Sequence, residues 1–186
     1  PAEASGSIVK RVIGLRTGFE LGLVNGIPYV RYNTSRGTEQ ALTAPVALNA
    51  NEWTHLAAVW NPAIRTLMLV INGNSAVKRE FAANELDYLP ADGTSVFTMA
   101  APASAADGWK GDIVIDEVRI WTTNRTMAQL DDARRELVQA GTPNLFRDFR
   151  FDDGGLTIED FAHPGWRNAE LYAIPAARWG ARMGNN

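Results

Sequence analysis

Cysteine is absent from this chain. That removes disulfides, thiol nucleophiles and every cysteine-based zinc site. It does not exclude secretion, because a core of this size stands without covalent staples. Histidine is scarce: His55 and His163 lie far apart and show no ligand spacing. No apolar run approaches the ~20 residues of a membrane span, so membrane insertion is not expected. Lys and Arg form no cluster and the net charge is −3. Neither nucleic acid nor an anionic lipid surface is therefore an expected partner. No G-x-S-x-G, H-E-x-x-H or phosphate-binding loop occurs.

What is present is a 46% hydrophobic content over 186 residues. That is enough for one domain, or one domain and part of another. The chain opens on Pro1 with small residues to Ser7 and no charged-then-apolar signal pattern. The expectation is an N-terminus that is processed or cut from a longer protein.

From Ser7 to about Ala100 the pattern is one of short strands and turns. Phe19, Leu21 and Leu23 alternate with Glu20 and Gly22, and Asn25-Gly26 then predicts a tight hairpin. Trp53 to Trp60 is apolar on both faces, which predicts a covered strand with Trp53, Leu56 and Val59 in the core. Thr66 to Ile71 returns to Asn72-Gly73, the strongest hairpin signal, with Ser75 to Phe81 as its partner strand. Val96 to Met99 is a short strand, and Asp112 to Trp121 a long one, with Ile115 and Val118 inward. Thr126 to Ala140 is the one predicted helix. Thr126 and Gln129 form a capping box, Leu130 and Leu137 lie on the apolar stripe, and Gly141 is the stop. Leu145 to Phe151 alternates again, with Phe149 and Phe151 on one face, and Arg167 to Ile174 is extended.

Three motifs in order carry a family resemblance. They are Trp53-Thr54-His55-Leu56-Ala57, Leu67-Met68-Leu69-Val70-Ile71-Asn72-Gly73 and Ile115-Asp116-Glu117-Val118-Arg119-Ile120-Trp121. Together with the following helix they make the chain resemble the laminin-G-like, concanavalin-A-like jelly-roll family over roughly residues 7–140. The resemblance implies an all-β jelly-roll sandwich with one short peripheral helix. Phe151-Asp152-Asp153-Gly154 and Trp179-Gly180-Ala181-Arg182 look like the opening strands of such a module, yet they come last. The expectation is a sandwich over residues 1–141, closed by strands within 142–186. The alternative is that 142–186 begins a following repeat.

Asp112 and Asp116 are the candidate metal ligands, since members of this family bind Ca²⁺ near such strands through hard oxygen donors. The structural alternative pairs Asp116 with Arg119, Arg65 or a backbone N–H. Trp109, flanked by Asp107 and Asp112, is the candidate ligand-binding aromatic, with Asp107 able to bond hydroxyls. Trp166 and Trp179 also fall in loops, whereas Trp53, Trp60 and Trp121 are expected in the core. Jelly-roll glucanases alternate their carboxylates on one strand as E-x-D-x-E. Here Glu117 faces away from Asp112 and Asp116, so a retaining dyad is not expected. The expected function is a non-catalytic binding module of a secreted or cell-surface protein, such as one in cell adhesion, with a glycan ligand. The alternative is a protein-interaction or architectural domain whose partner is another chain, and a glycoside hydrolase comes third.

Overall fold

The computed structural model describes residues 4–13, 16–33, 38–83, 96–101, 112–154, 157–165 and 169–170. The chain divides into two compact units. One comprises Pro1–Ile113 and Asn124–Arg135, the other Val114–Thr123 and Glu136–Asn186.

In the first unit β1 (Gly6–Ile13), β2 (Arg16–Val24), β3 (Ile27–Asn33) and β4 (Glu39–Thr43) form an antiparallel meander. β8 (Val96–Ala101) joins the free side of β1, giving the order β4-β3-β2-β1-β8. Asn25 and Gly26 turn β2 into β3 with φ of 51° and 73°, the left-handed pair that Asn-Gly adopts cheaply. A second sheet holds β5 (Leu56–Asn61), β6 (Thr66–Ile71) and β7 (Asn74–Glu80). Asn72 and Gly73 make its tight turn at φ 50° and 78°.

Alternation along the strands builds the core. Leu21, Val30, Tyr32 and Leu42 of the first sheet meet Leu67 and Leu69 of the second, with Phe81 beside them. Tyr32, Trp60 and Phe81 form an aromatic cluster with centroids 5.6–6.0 Å apart. The opposite face of the second sheet is covered by α1 (Met127–Ala133), where Leu130 and Met127 pack on Val59 and Val70. The capping box at Thr126 and Gln129 is formed in both directions.

In the second unit β9 (Val118–Trp121) pairs antiparallel with β10 (Leu145–Phe149), and Phe149 stands opposite Val118. Thus the segment expected to be paired in a sheet is paired as far as Phe149. Phe151 takes φ 59° and leaves the strand. β11 (Thr157–Ile158) pairs with β12 (Ala169–Glu170).

Four expectations are corrected. Trp53 is 71% exposed and precedes its strand, which starts at Leu56. Asn51 at φ 59° bends the approach, and the segment is tied instead to the β6–β7 turn. The long strand from Asp112 shrinks to Val118–Trp121, with Val114 77% exposed. Glu117 sits at φ 53° and the Asp116 carboxylate caps its N–H at 2.9 Å, a turn that extended pairing forbids. Asp116 is therefore exposed rather than set on an apolar strand face. The helix ends at Ala133, not Ala140, and Leu137 is exposed. Beyond it, the carbonyls of Glu136 and Val138 accept from Arg119 and Arg150 at 3.4 and 2.6 Å.

Candidate functional site

β2 sends its apolar phase into the core and its polar phase to the other face. Glu20 lies in that polar phase, level with Lys10 on β1 and Arg31 on β3. The Glu20 side chain is 0% exposed, so its charge needs partners. Ser7 and Tyr29 both donate their hydroxyls to Oε1. Arg31 donates to Oε2 from Nε at 2.8 Å and from its terminal nitrogen at 2.7 Å. Lys10 Nζ stands 3.9 Å from the same oxygen, and Glu39 pairs with Arg31 at 3.5 Å. Gly22 makes the arrangement possible, because a Cβ there would lie 2.7 Å from the Tyr29 hydroxyl.

Burial pushes the Glu20 carboxyl up, but bonds from Ser7, Tyr29 and Arg31 outweigh it and leave it below its ordinary value. Burial and the bond to Glu20 raise Tyr29 beyond its ordinary range. Burial opposes the Arg31 charge, and Glu20 reverses that, so its pKa is raised. The group is an ion cluster joining four strands, β1 to β4.

The second unit holds a comparable network. Asp148 is 0% exposed and accepts from Arg119 Nε at 3.2 Å and Arg150 Nε at 3.0 Å. Arg119 also bonds Glu117, and Arg150 stacks 4.4 Å over the Phe161 ring. Asp160, equally buried, accepts from the N–H of Asp148 and Ala162 and from Arg147 at 2.8 Å.

Of the sequence-predicted site residues, Asp107 and Trp109 lie outside the described residues, as do Trp166 and Trp179. Asp112 is exposed and belongs to the first unit, Asp116 to the second. Partial desolvation raises the carboxyls of both Glu117 and Asp116, the latter although its side chain reaches solvent. Among the described residues no three His, Asp or Glu side chains gather as a metal site. A calcium ion takes about six to eight oxygens, so either carboxylate would need backbone carbonyls or water to complete a shell. Reading the sequence missed the Glu20 cluster. Its signal was a single acid in the polar phase of an otherwise apolar strand.

The loop before β5 carries the largest exposed aromatic surface noted among the described residues, Trp53. Asn72 Oδ1 accepts from His55 N–H at 2.9 Å, and the Asn72 N–H returns a bond to His55 O at 2.9 Å. Asn49 donates to Glu52 at 2.9 Å. Among the described residues no helix is long and apolar enough to cross a membrane.

Comparison with known proteins agrees with this sandwich. A carbohydrate-binding candidate from Bacteroides ovatus ATCC 8483 superposes with a TM-score of 0.61 at 16% identity over 84% of this chain. The chain spans 44% of that protein's length. The heptameric SAP-like pentraxin of Limulus polyphemus gives 0.50 at 12% identity, over 70% of this chain and 63% of its own. The binding domain of Paraclostridial Mosquitocidal Protein 1 gives 0.50 at 13% identity, over 69% of this chain and 30% of its own. No curated protein matches the sequence. A laminin-G-type family model matches residues 3–131, and the chain belongs to the concanavalin A-like lectin/glucanases superfamily.

Proposed function

We propose that this chain is a non-catalytic carbohydrate-binding module of a secreted or cell-surface protein. The observation that supports binding over cleavage is the state of the three fully buried carboxylates among the described residues, Glu20, Asp148 and Asp160. The raised pair is engaged as well, Asp116 by the Glu117 N–H and Glu117 by Arg119. A glycosidase needs one carboxyl kept protonated as acid and a second beside it. Glu20 goes the opposite way, since its donors hold it ionised. Both oxygens of Asp148 and both of Asp160 are likewise engaged by arginines or backbone N–H groups. These acids join strands and leave no oxygen for a leaving group.

The ligand class comes from the superfamily and from the Bacteroides protein of the same fold, which is described as carbohydrate binding. Rims and loops are where such a sandwich presents binding groups. Trp109 and Asp107 belong to this proposal as ring and hydroxyl partner, and Asp112 and Asp116 as oxygen donors to calcium. The test is a glycan array probed with the purified chain, with and without calcium. Retention of defined glycans supports the reading. A blank array over repeated preparations removes it.

A further inference from the structure

We propose that Trp53 is the stacking platform of a site for neutral sugars on the loop of residues 49–55, an inference that rests on the glycan-binding reading above. Isolated exposed aliphatic residues need no explanation. An indole that is 71% exposed is a different case, because its flat face is most stable against another apolar surface. Trp53 does not stand on a yielding tail. Two bonds between His55 and Asn72, each 2.9 Å, one from the His55 N–H to the Asn72 side-chain Oδ1 and one from the Asn72 N–H to the His55 carbonyl, fasten the loop to the β6–β7 turn. The Asn49–Glu52 bond at 2.9 Å closes its other end. A loop backbone held this way loses little freedom when a ligand arrives.

The surroundings select the ligand. Asn49, Asn51 and Glu52 beside Trp53, and Asn72 at the turn, are exposed and polar. An apolar ring bordered by amides and one carboxylate suits a pyranose, which offers a C–H face and a fringe of hydroxyls. Glu52 is the one charged side chain between residues 49 and 55. Arg134 and Arg135, just past the end of α1, are both paired with Asp131, the helix residue that lies against Gly73. A sugar carboxylate or sulfate would meet the charge of Glu52, whereas a neutral or amino sugar would not be repelled by it.

The experiment compares wild type, Trp53→Ala and Trp53→Phe on an array of neutral and acidic oligosaccharides, with the best neutral hit titrated in solution. The alanine variant should bind at least about tenfold more weakly, equivalent to about 1.4 kcal/mol. Phenylalanine should retain part of the affinity, and the melting temperature should barely move. A second measurement uses the unaltered chain. N-bromosuccinimide should oxidise Trp53 ahead of Trp60 by tandem mass spectrometry, and saturating oligosaccharide should protect it. Wild-type binding that survives Trp53→Ala unchanged, or oxidation of Trp53 that bound sugar does not slow, overturns the platform and leaves the glycan reading intact. Selective retention of acidic glycans overturns the neutral class. Failure of wild type to bind any glycan removes both proposals.

Discussion

Gly22 and Tyr29 face each other across β2 and β3, and a Cβ on Gly22 would lie 2.7 Å from the Tyr29 hydroxyl and 2.6 Å from the Gly6 carbonyl oxygen. The missing side chain is what lets the phenol reach Glu20.

Gly22→Ala should therefore be destabilising although alanine suits an extended backbone. Overpacking of this kind costs about 1–3 kcal/mol. The second contact is backbone, so the strand itself must shift. A chemical-denaturation midpoint that falls with an unchanged slope reports the loss. A neutral or stabilising substitution would show that the Tyr29–Glu20 contact does not hold in solution.

Acid should weaken the first sheet through Glu20. Its carboxyl lies lower in the folded state than when unfolded. Its contribution is thus present above the ordinary carboxylate pKa and is lost as pH falls through the lower folded value. Glu20→Gln should remove that acid-limb dependence and cost about 2–3 kcal/mol at neutral pH. That is below the ~3–5 kcal/mol of a fully buried pair, because Arg31 keeps 28% of its side chain exposed. Asp116 and Glu117 work in the opposite sense. Burial raises both, so their contribution favours the folded chain below the unfolded pKa and fades as pH rises through the folded one. Glu117→Gln should make the fall in stability on acidification steeper. Melting temperatures from pH 7 to 3 for the three proteins check both signs.

Asp148→Asn should loosen the β9–β10 pair. The amide leaves Arg119 and Arg150 without their shared carboxylate, and breaking such a buried network costs about 3–5 kcal/mol. Amide hydrogen exchange should quicken at Val118–Trp121 and Leu145–Phe149 while β5–β7 keep their rates. Unchanged protection in β9 and β10 would contradict the role given to Asp148.

The calcium proposed for Asp112 or Asp116 has its own readout. A cation bound only by the folded chain raises the melting temperature by mass action. At about millimolar calcium, the range of extracellular modules, the melting temperature should rise and Asp116→Asn should abolish the rise. An unchanged melting temperature leaves Asp116 as the cap of the Glu117 N–H alone.

Parts of this architecture were legible because they depend on a few neighbouring residues. Asn25-Gly26 and Asn72-Gly73 specify turns through positive φ, and Thr126 with Gln129 specifies a helix start. What depended on distant partners was not legible. The Glu20 cluster needs the registers that bring Lys10 and Arg31 level with it. The early end of the helix needs Arg119 and Arg150 to take the carbonyls of Glu136 and Val138. Trp53 was expected inside because its neighbours Leu56 and Val59 are apolar. Asn51 and Asn72, whose backbone and side chain hold that loop apart, gave no periodic signal.

The central claim is binding without cleavage. Its most direct test is calorimetric titration of the chain with an array-selected oligosaccharide, followed by overnight incubation and assay for new reducing ends. The account predicts saturable binding and a reducing-end count equal to that of the sugar alone. Release of new reducing ends by the chain, or no heat of binding at millimolar sugar, would contradict it.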